Sequence, residues 1–105
     1  MKKTIDVATL KALMEQGDRP ALLDVRREAD YEAAPQMIPG AVRNDPEHVD
    51  QWSRELSAGR TAVVYCVKGG SVSQSVAERL EREGIDVRYL EGGLKAWIDQ
   101  GEPVE

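Results

Sequence analysis

Short apolar runs of strand length alternate along this chain with stretches whose apolar residues recur every three or four positions, and that alternation narrows the fold more than any other feature. Ala21-Leu22-Leu23-Asp24-Val25, entered from Pro20, and Thr61-Ala62-Val63-Val64-Tyr65, rich in β-branched residues, read as strands covered on both faces. Val87-Arg88-Tyr89-Leu90 reads as a further strand, and Ala41–Asn44, behind the Pro39-Gly40 break, as a brief extended piece. Helical periods lie between them. Asp6 is placed to cap a helix with Leu10, Leu13 and Met14 on its apolar face and a stop at Gly17. A short helix is predicted within Glu28–Ala34, and another from Pro46 with Val49, Trp52 and Leu56 inward. A fourth carries Val72, Val76, Ala77 and Leu80 and ends near Gly84, and a last one covers Leu94–Gln100 after the Gly92-Gly93 turn. Strands separated by helices predict a parallel sheet with helices on both faces.

With 105 residues and no internal repeat, low-complexity tract or linker, the chain reads as one domain. Its 41% apolar residues, together with nine glycines, match an ordinary globular protein able to bury a core without staples. The single cysteine, Cys66, excludes an intrachain disulfide, and with one histidine, His48, no structural metal is expected. Nine basic and eleven acidic residues precede position 61, with five and eight after it, so the net charge of −5 is spread along the chain. Nucleic acid and anionic membranes are therefore poor partners. The N-terminal stretch does not resemble a signal peptide, and the longest apolar run is only Ala62–Val67, so a cytoplasmic protein without a membrane span is expected.

Cys66 follows directly on the clearest strand, at the carboxyl end where parallel α/β sheets bind their ligands. Val67-Lys68-Gly69-Gly70-Ser71 then forms a short loop in which two adjacent glycines can take positive φ and turn successive N–H groups inward. Such a concavity holds an anion, the dipole of a helix starting near Ser71 adds to it, and both favour the charged thiolate over the thiol. No acidic residue lies between Thr61 and Ala77, and Lys68 is the one basic residue there, so the field around Cys66 is expected to be positive within an acidic chain. Of the hydroxyls at Ser71, Ser73 and Ser75, Ser71 is expected to be the donor to a bound anion. Walker-type phosphate binding would need Gly-Lys-Ser/Thr after an earlier glycine, which is absent.

Asp24-Val25-Arg26, Ile38-Pro39-Gly40-Ala41, Tyr65-Cys66-Val67-Lys68-Gly69-Gly70-Ser71 and Leu90-Glu91-Gly92-Gly93-Leu94-Lys95-Ala96-Trp97, four strings in this order, resemble the signatures of the single-domain rhodaneses. The resemblance runs from about Ile5 to Pro103. It implies a single rhodanese-like α/β domain, a central and mostly parallel five-stranded sheet with helices on both faces. It implies further that Cys66 takes a sulfane sulfur as a persulfide, that Val67, Lys68, Gly69, Gly70 and Ser71 cradle the outer sulfur, and that no cofactor is needed. The pattern C-x-K-G-x-[ST], met by Lys68 and Ser71, goes in that family with thiosulfate, a dianion that a lysine attracts as a point charge. The partners implied are a small anionic sulfur donor and an acceptor that is cyanide, a cellular thiol or a protein thiol. This chain departs from the family in carrying Ser71 where many members have arginine, so bidentate gripping of the anion is lost, and Met37 where histidine is usual. The acidic stretch around His48, leading on from Pro46, matches no family motif.

The rival chemistries fare worse. A Cys-x5-Arg phosphatase loop needs arginine where this chain has Val72, arsenate reduction needs a second cysteine, and a Cys66/His48 dyad lacks a third group. His48 reads as part of a solvated helix start, and Trp52 and Trp97 as core. Asp24 and Arg26, at a strand's end, are expected to pair and support the active loop rather than bind ligand, and Gly92-Gly93 either approaches that loop or only ends a strand. A second class of function is a rhodanese-like module that carries sulfur or docks a partner without turnover, although retention of Cys66 with Lys68 speaks for activity. Lacking a second cysteine, a Cys66 persulfide must pass its sulfur to another molecule.

Overall fold

The computed structural model of the protein describes residues 3–16, 19–56 and 59–105. Five parallel strands form one sheet in the order β1-β5-β4-β2-β3, with β1 at Thr4–Ile5, β2 at Ala21–Asp24, β3 at Val42–Arg43, β4 at Ala62–Tyr65 and β5 at Val87–Leu90. Helices α1 (Val7–Glu15), α2 (Glu28–Ala33), α3 (Val49–Trp52), α4 (Ser71–Arg82) and α5 (Gly93–Asp99) alternate with them. β4 lies at the centre, with Leu22 facing Val63 and Asp24 facing Tyr65 on one side, and Ala62 facing Val87 on the other.

All four residues of β4 are buried, and the two-residue period of the strands divides them between two cores. Val63 and Tyr65 join Ile5, Leu22 and Leu90 beneath Val7 and Leu10 of α1 and Leu94 and Trp97 of α5. Ala62 and Val64 join Leu23, Val25 and Val87 beneath Trp52 and Val76, Ala77 and Leu80 of α4. The helices therefore cover both faces, and every strand that the sequence placed is present. The remaining strand, β1, is two residues long and carries no run that its sequence would reveal. It exists because β5 offers a free edge, on which Glu91 N donates to Ile5 O at 2.9 Å and Tyr89 N to Lys3 O at 3.1 Å.

Local signals set the helix ends. Asp6 caps α1 by accepting from Thr9 N at 2.7 Å, and these hydrogen bonds from Thr9 hold its carboxyl below the usual range. The expected stop at Gly17 lies outside the described residues. The segment from Pro46 does not form the single helix its spacing predicts. It breaks into a 3₁₀ turn at Pro46–His48, the single turn of α3, and a second 3₁₀ turn at Ser53–Glu55. A helix this short is marginal by itself, and tertiary anchors dictate its path. Ser53 Oγ donates to Glu83, at the end of α4, at 3.2 Å, which fixes the segment against that helix, and the Trp52 indole closes the segment on itself by donating to Asp45 O at 2.7 Å. No described helix is long and apolar enough to cross a membrane.

Candidate functional site

Sheet order reverses beside β4. The chain leaves β2 to form β3 on one side and returns to form β4 on the other. Ligands in open parallel sheets collect at the carboxyl ends of strands flanking such a reversal. Cys66 stands there, one residue beyond β4, only 6% exposed.

The loop behind it is polarised by how its backbone is bonded. The carbonyls of Cys66 and Val67 accept from Leu94 N and Lys95 N at the start of α5, each at 2.9 Å. Gly69 O accepts from the Gln74 side chain at 3.0 Å, and Gly70 O from Gln74 N at 3.3 Å. Among the described residues, by contrast, no protein acceptor takes the N–H groups of Val67 through Ser73, the last three of which are the unpaired donors that open α4. With carbonyls bonded and amides free, the loop offers mainly donors, the arrangement that suits an anion.

Glycines on both sides make this packing possible. Gly69 has φ +71°, and a Cβ there would sit 2.8 Å from Gly92 N and 2.9 Å from Leu90 O. Gly93, at φ +58°, is tighter still, since a Cβ would meet the backbone of Cys66, Gly69 and Val67. The Gly92-Gly93 turn thus approaches the cysteine loop as well as ending β5. Gly70 does not take the positive φ that its sequence allowed. It lies at φ −86°, ψ −150° as the cap of α4, so Gly69 alone makes the left-handed step in this loop.

Beside the loop, β2 ends in a buried charge network. Arg26, 1% exposed, bonds both carboxylate oxygens of Asp24, itself fully buried, with Nη2 to Oδ2 at 2.7 Å. Its remaining donors reach Ala34 O at 2.7 Å and Gln36 O at 2.9 Å. The Tyr65 hydroxyl donates to Asp24 Oδ2 at 3.1 Å and accepts from Ile38 N at 3.2 Å. Burial disfavours the Arg26 charge, but hydrogen bonding and attraction from Asp24 outweigh it and raise its pKa. Burial, reinforced by the nearby Asp24 carboxylate, pushes the Tyr65 phenol far above its ordinary value. The pair and Tyr65 together fasten the segment 34–38 to the end of the sheet, so Asp24 and Arg26 have their polar groups turned to protein rather than to an open site.

The other residues singled out from the sequence divide clearly. Lys68 is exposed and pairs with no carboxylate among the described residues. Ser71 is exposed too, opening α4 and lining a cavity of about 430 Å³ with Arg27, Arg79 and Arg82. His48 ends a 3₁₀ turn with its ring exposed, 3.8 Å from Asp45, while Trp97 and Trp52 are core. Met37 pairs its backbone with Glu105, N to O at 2.9 Å and O to N at 2.8 Å. The hydroxyl set against the sulfur is that of Ser73, fully buried, with Cys66 Sγ 3.2 Å from Ser73 Oγ. The signal was present in the helical period, because Ser73 shares the inward stripe of α4 with Val76, Ala77 and Leu80, whereas Ser71 does not.

Comparison with known proteins bears on the family and the fold. The family model of the rhodanese-like domain matches residues 6–100. A putative sulfurtransferase of Bacillus subtilis, YtwF, is 32% identical over 101 residues, covering 96% of this chain and 95% of the relative. The probable adenylyltransferase/sulfurtransferase MoeZ of Mycobacterium tuberculosis is 30% identical over 104 residues, 95% of this chain but 26% of that protein. A tRNA 2-selenouridine synthase of Shewanella frigidimarina is matched over 24% of its length, so the chain spans about a quarter of these longer curated relatives. The crystal structure of a thiosulfate sulfurtransferase from Pseudomonas aeruginosa superposes with a TM-score of 0.84 at 26% identity, over all of this chain and 19% of that one. The matches support a general role in sulfur transfer. On sequence and fold together, the chain belongs to the rhodanese-like domain family.

Proposed function

We propose that the protein moves a sulfane sulfur from thiosulfate or a related anionic donor to a thiophilic acceptor through a persulfide on Cys66. The observation that carries this reading is the polarised loop around Cys66 at the sheet reversal, with its carbonyls bonded to α5 and Gln74 and, among the described residues, no acceptor for the amides of residues 67–73. In the loading step the Cys66 thiolate attacks the outer sulfur of thiosulfate. The sulfur–sulfur bond of the donor breaks, its electron pair leaves with sulfite, and Cys66–S–S⁻ remains. The loop amides stabilise the charge on the outer sulfur, and Lys68 raises the local concentration of the dianion. In the delivery step the acceptor, cyanide or a thiolate, attacks that outer sulfur and the pair returns to Cys66 Sγ. The chain holds no second cysteine to intercept the persulfide, so the sulfur leaves to another molecule.

Intact mass spectrometry after incubation with thiosulfate tests this. Wild type is expected to gain one sulfur that cyanide removes, and Cys66→Ser none. Absence of the gain in wild type, or an equal gain in Cys66→Ser, would overturn the reading. Lys68→Ala is expected to slow loading from thiosulfate several-fold at low salt and to narrow its difference from wild type as salt rises.

A further inference from the structure

We infer that Ser73 is a catalytic residue of the delivery step, holding the negative charge that returns to Cys66 Sγ when the outer sulfur departs. The inference rests on the sulfurtransferase reading above and assigns to one hydroxyl a role in one half of the reaction.

Ser73 Oγ lies 3.2 Å from Cys66 Sγ and 3.4 Å from Gly70 O, and no part of Ser73 is exposed. In the thiol state the chain runs one way: S–H donates to Ser73 Oγ, whose proton goes to Gly70 O. When Sγ becomes a thiolate it has no proton to give, and the same hydroxyl turns to donate to it. That turn strands nothing, because Gly70 O keeps the hydrogen bond from Gln74 N, the first of α4. The hydroxyl thus follows the charge on Sγ without displacing the loop, and a buried site admits little water to replace it.

The two half-reactions draw on this bond in opposite senses. In loading, Sγ begins as the thiolate and loses its charge to the outer sulfur, so Ser73 stabilises the reactant. In delivery, Cys66–S–S⁻ and cyanide give Cys66–S⁻ and thiocyanate, and Sγ is the leaving group on which charge builds. Ser73 therefore strengthens its bond toward the delivery transition state and weakens it away from the loading ground state. Ser71, exposed at the loop's rim, has no such relation to Sγ.

The experiment isolates the halves. Wild type and Ser73→Ala are loaded to completion, freed of donor and mixed with cyanide in single turnovers, and loading is timed separately by mass. Ser73→Ala is expected to discharge at least about tenfold more slowly, the loss of one charge-assisted hydrogen bond, while loading at saturating thiosulfate changes little or quickens. Ser73→Thr, which keeps the hydroxyl, is expected to discharge faster than Ser73→Ala. A second readout makes no use of sulfane sulfur. Cys66 is capped with methyl methanethiosulfonate as a methyl disulfide, and release of the Cys66 thiolate by dithiothreitol is expected to slow by a similar factor in Ser73→Ala. Equal slowing of loading and discharge, or unchanged discharge and unchanged release, would overturn the role of Ser73. Failure of wild type to load at all would instead overturn the sulfurtransferase reading, with the methyl-disulfide measurement still deciding the role of Ser73.

Discussion

Replacing Arg26 by methionine should be among the most damaging single changes this fold can suffer outside its apolar core. The substitution keeps volume but removes the cation that contacts both oxygens of a fully buried Asp24. Asp24 would retain only the Tyr65 hydroxyl and Arg26 N, two donors where the native carboxylate also has a guanidinium. Orphaning one member of a buried ion pair costs about 3–5 kcal/mol. A chain of 105 residues has an unfolding entropy of about 0.22 kcal/mol/K, so the melting temperature should fall by about 14–23 °C. The contacts with Ala34 O and Gln36 O vanish as well, but these belong to exposed residues whose carbonyls water can reach. Asp24→Asn combined with Arg26→Met removes both charges and should melt above Arg26→Met alone, because the uncompensated carboxylate, rather than the lost attraction, dominates the penalty. Thermal and urea unfolding followed by circular dichroism would measure both. A single variant within about 1 kcal/mol of wild type, or a double variant less stable than the single, would refute the account.

Two other outcomes are expected. Gly93→Ala should destabilise the protein by more than the about 1–2 kcal/mol of left-handed strain and cut sulfur loading at least tenfold, since its Cβ would meet the backbone of the cysteine loop. Gly101→Ala, at φ +77° with open space around its Cβ position, should show the strain alone, and equal melting and loading in the two variants would count against the backbone packing. Of the three tyrosines, Tyr65 should stay un-ionised in the folded protein as pH rises well past the ordinary phenol value of about 10. Its raised pKa means that the neutral phenol contributes stability in full below about pH 10, and that this contribution is lost as pH climbs toward the folded value. Absorbance at 295 nm should show a late step coinciding with unfolding that Tyr65→Phe lacks.

Periodicity and local torsional preference were enough to place β2, β4, β5 and the long helix α4, because a buried parallel strand and an amphipathic helix each write their period directly into the chain. The same holds for Cys66 and its glycine loop, whose position after the strongest strand is local information, and for the four motifs that identified the family. What the chain could not announce depends on partners far away in sequence. Thr4–Ile5 is a strand only because β5 leaves an edge beside it, and the helix expected from Pro46 breaks where Ser53 is tied to Glu83, 30 residues further on. Whether Gly92-Gly93 merely turned the chain or seated it on the cysteine loop was decided by the close approach of two backbones, which no single segment encodes. Three serines follow Cys66, and composition does not rank them, although the helical period already puts Ser73 on the stripe of Val76, Ala77 and Leu80. The rotation of α4 about its axis, fixed by burial of Val76, Ala77 and Leu80, turns Ser73 toward the sulfur and leaves Ser71 at the rim.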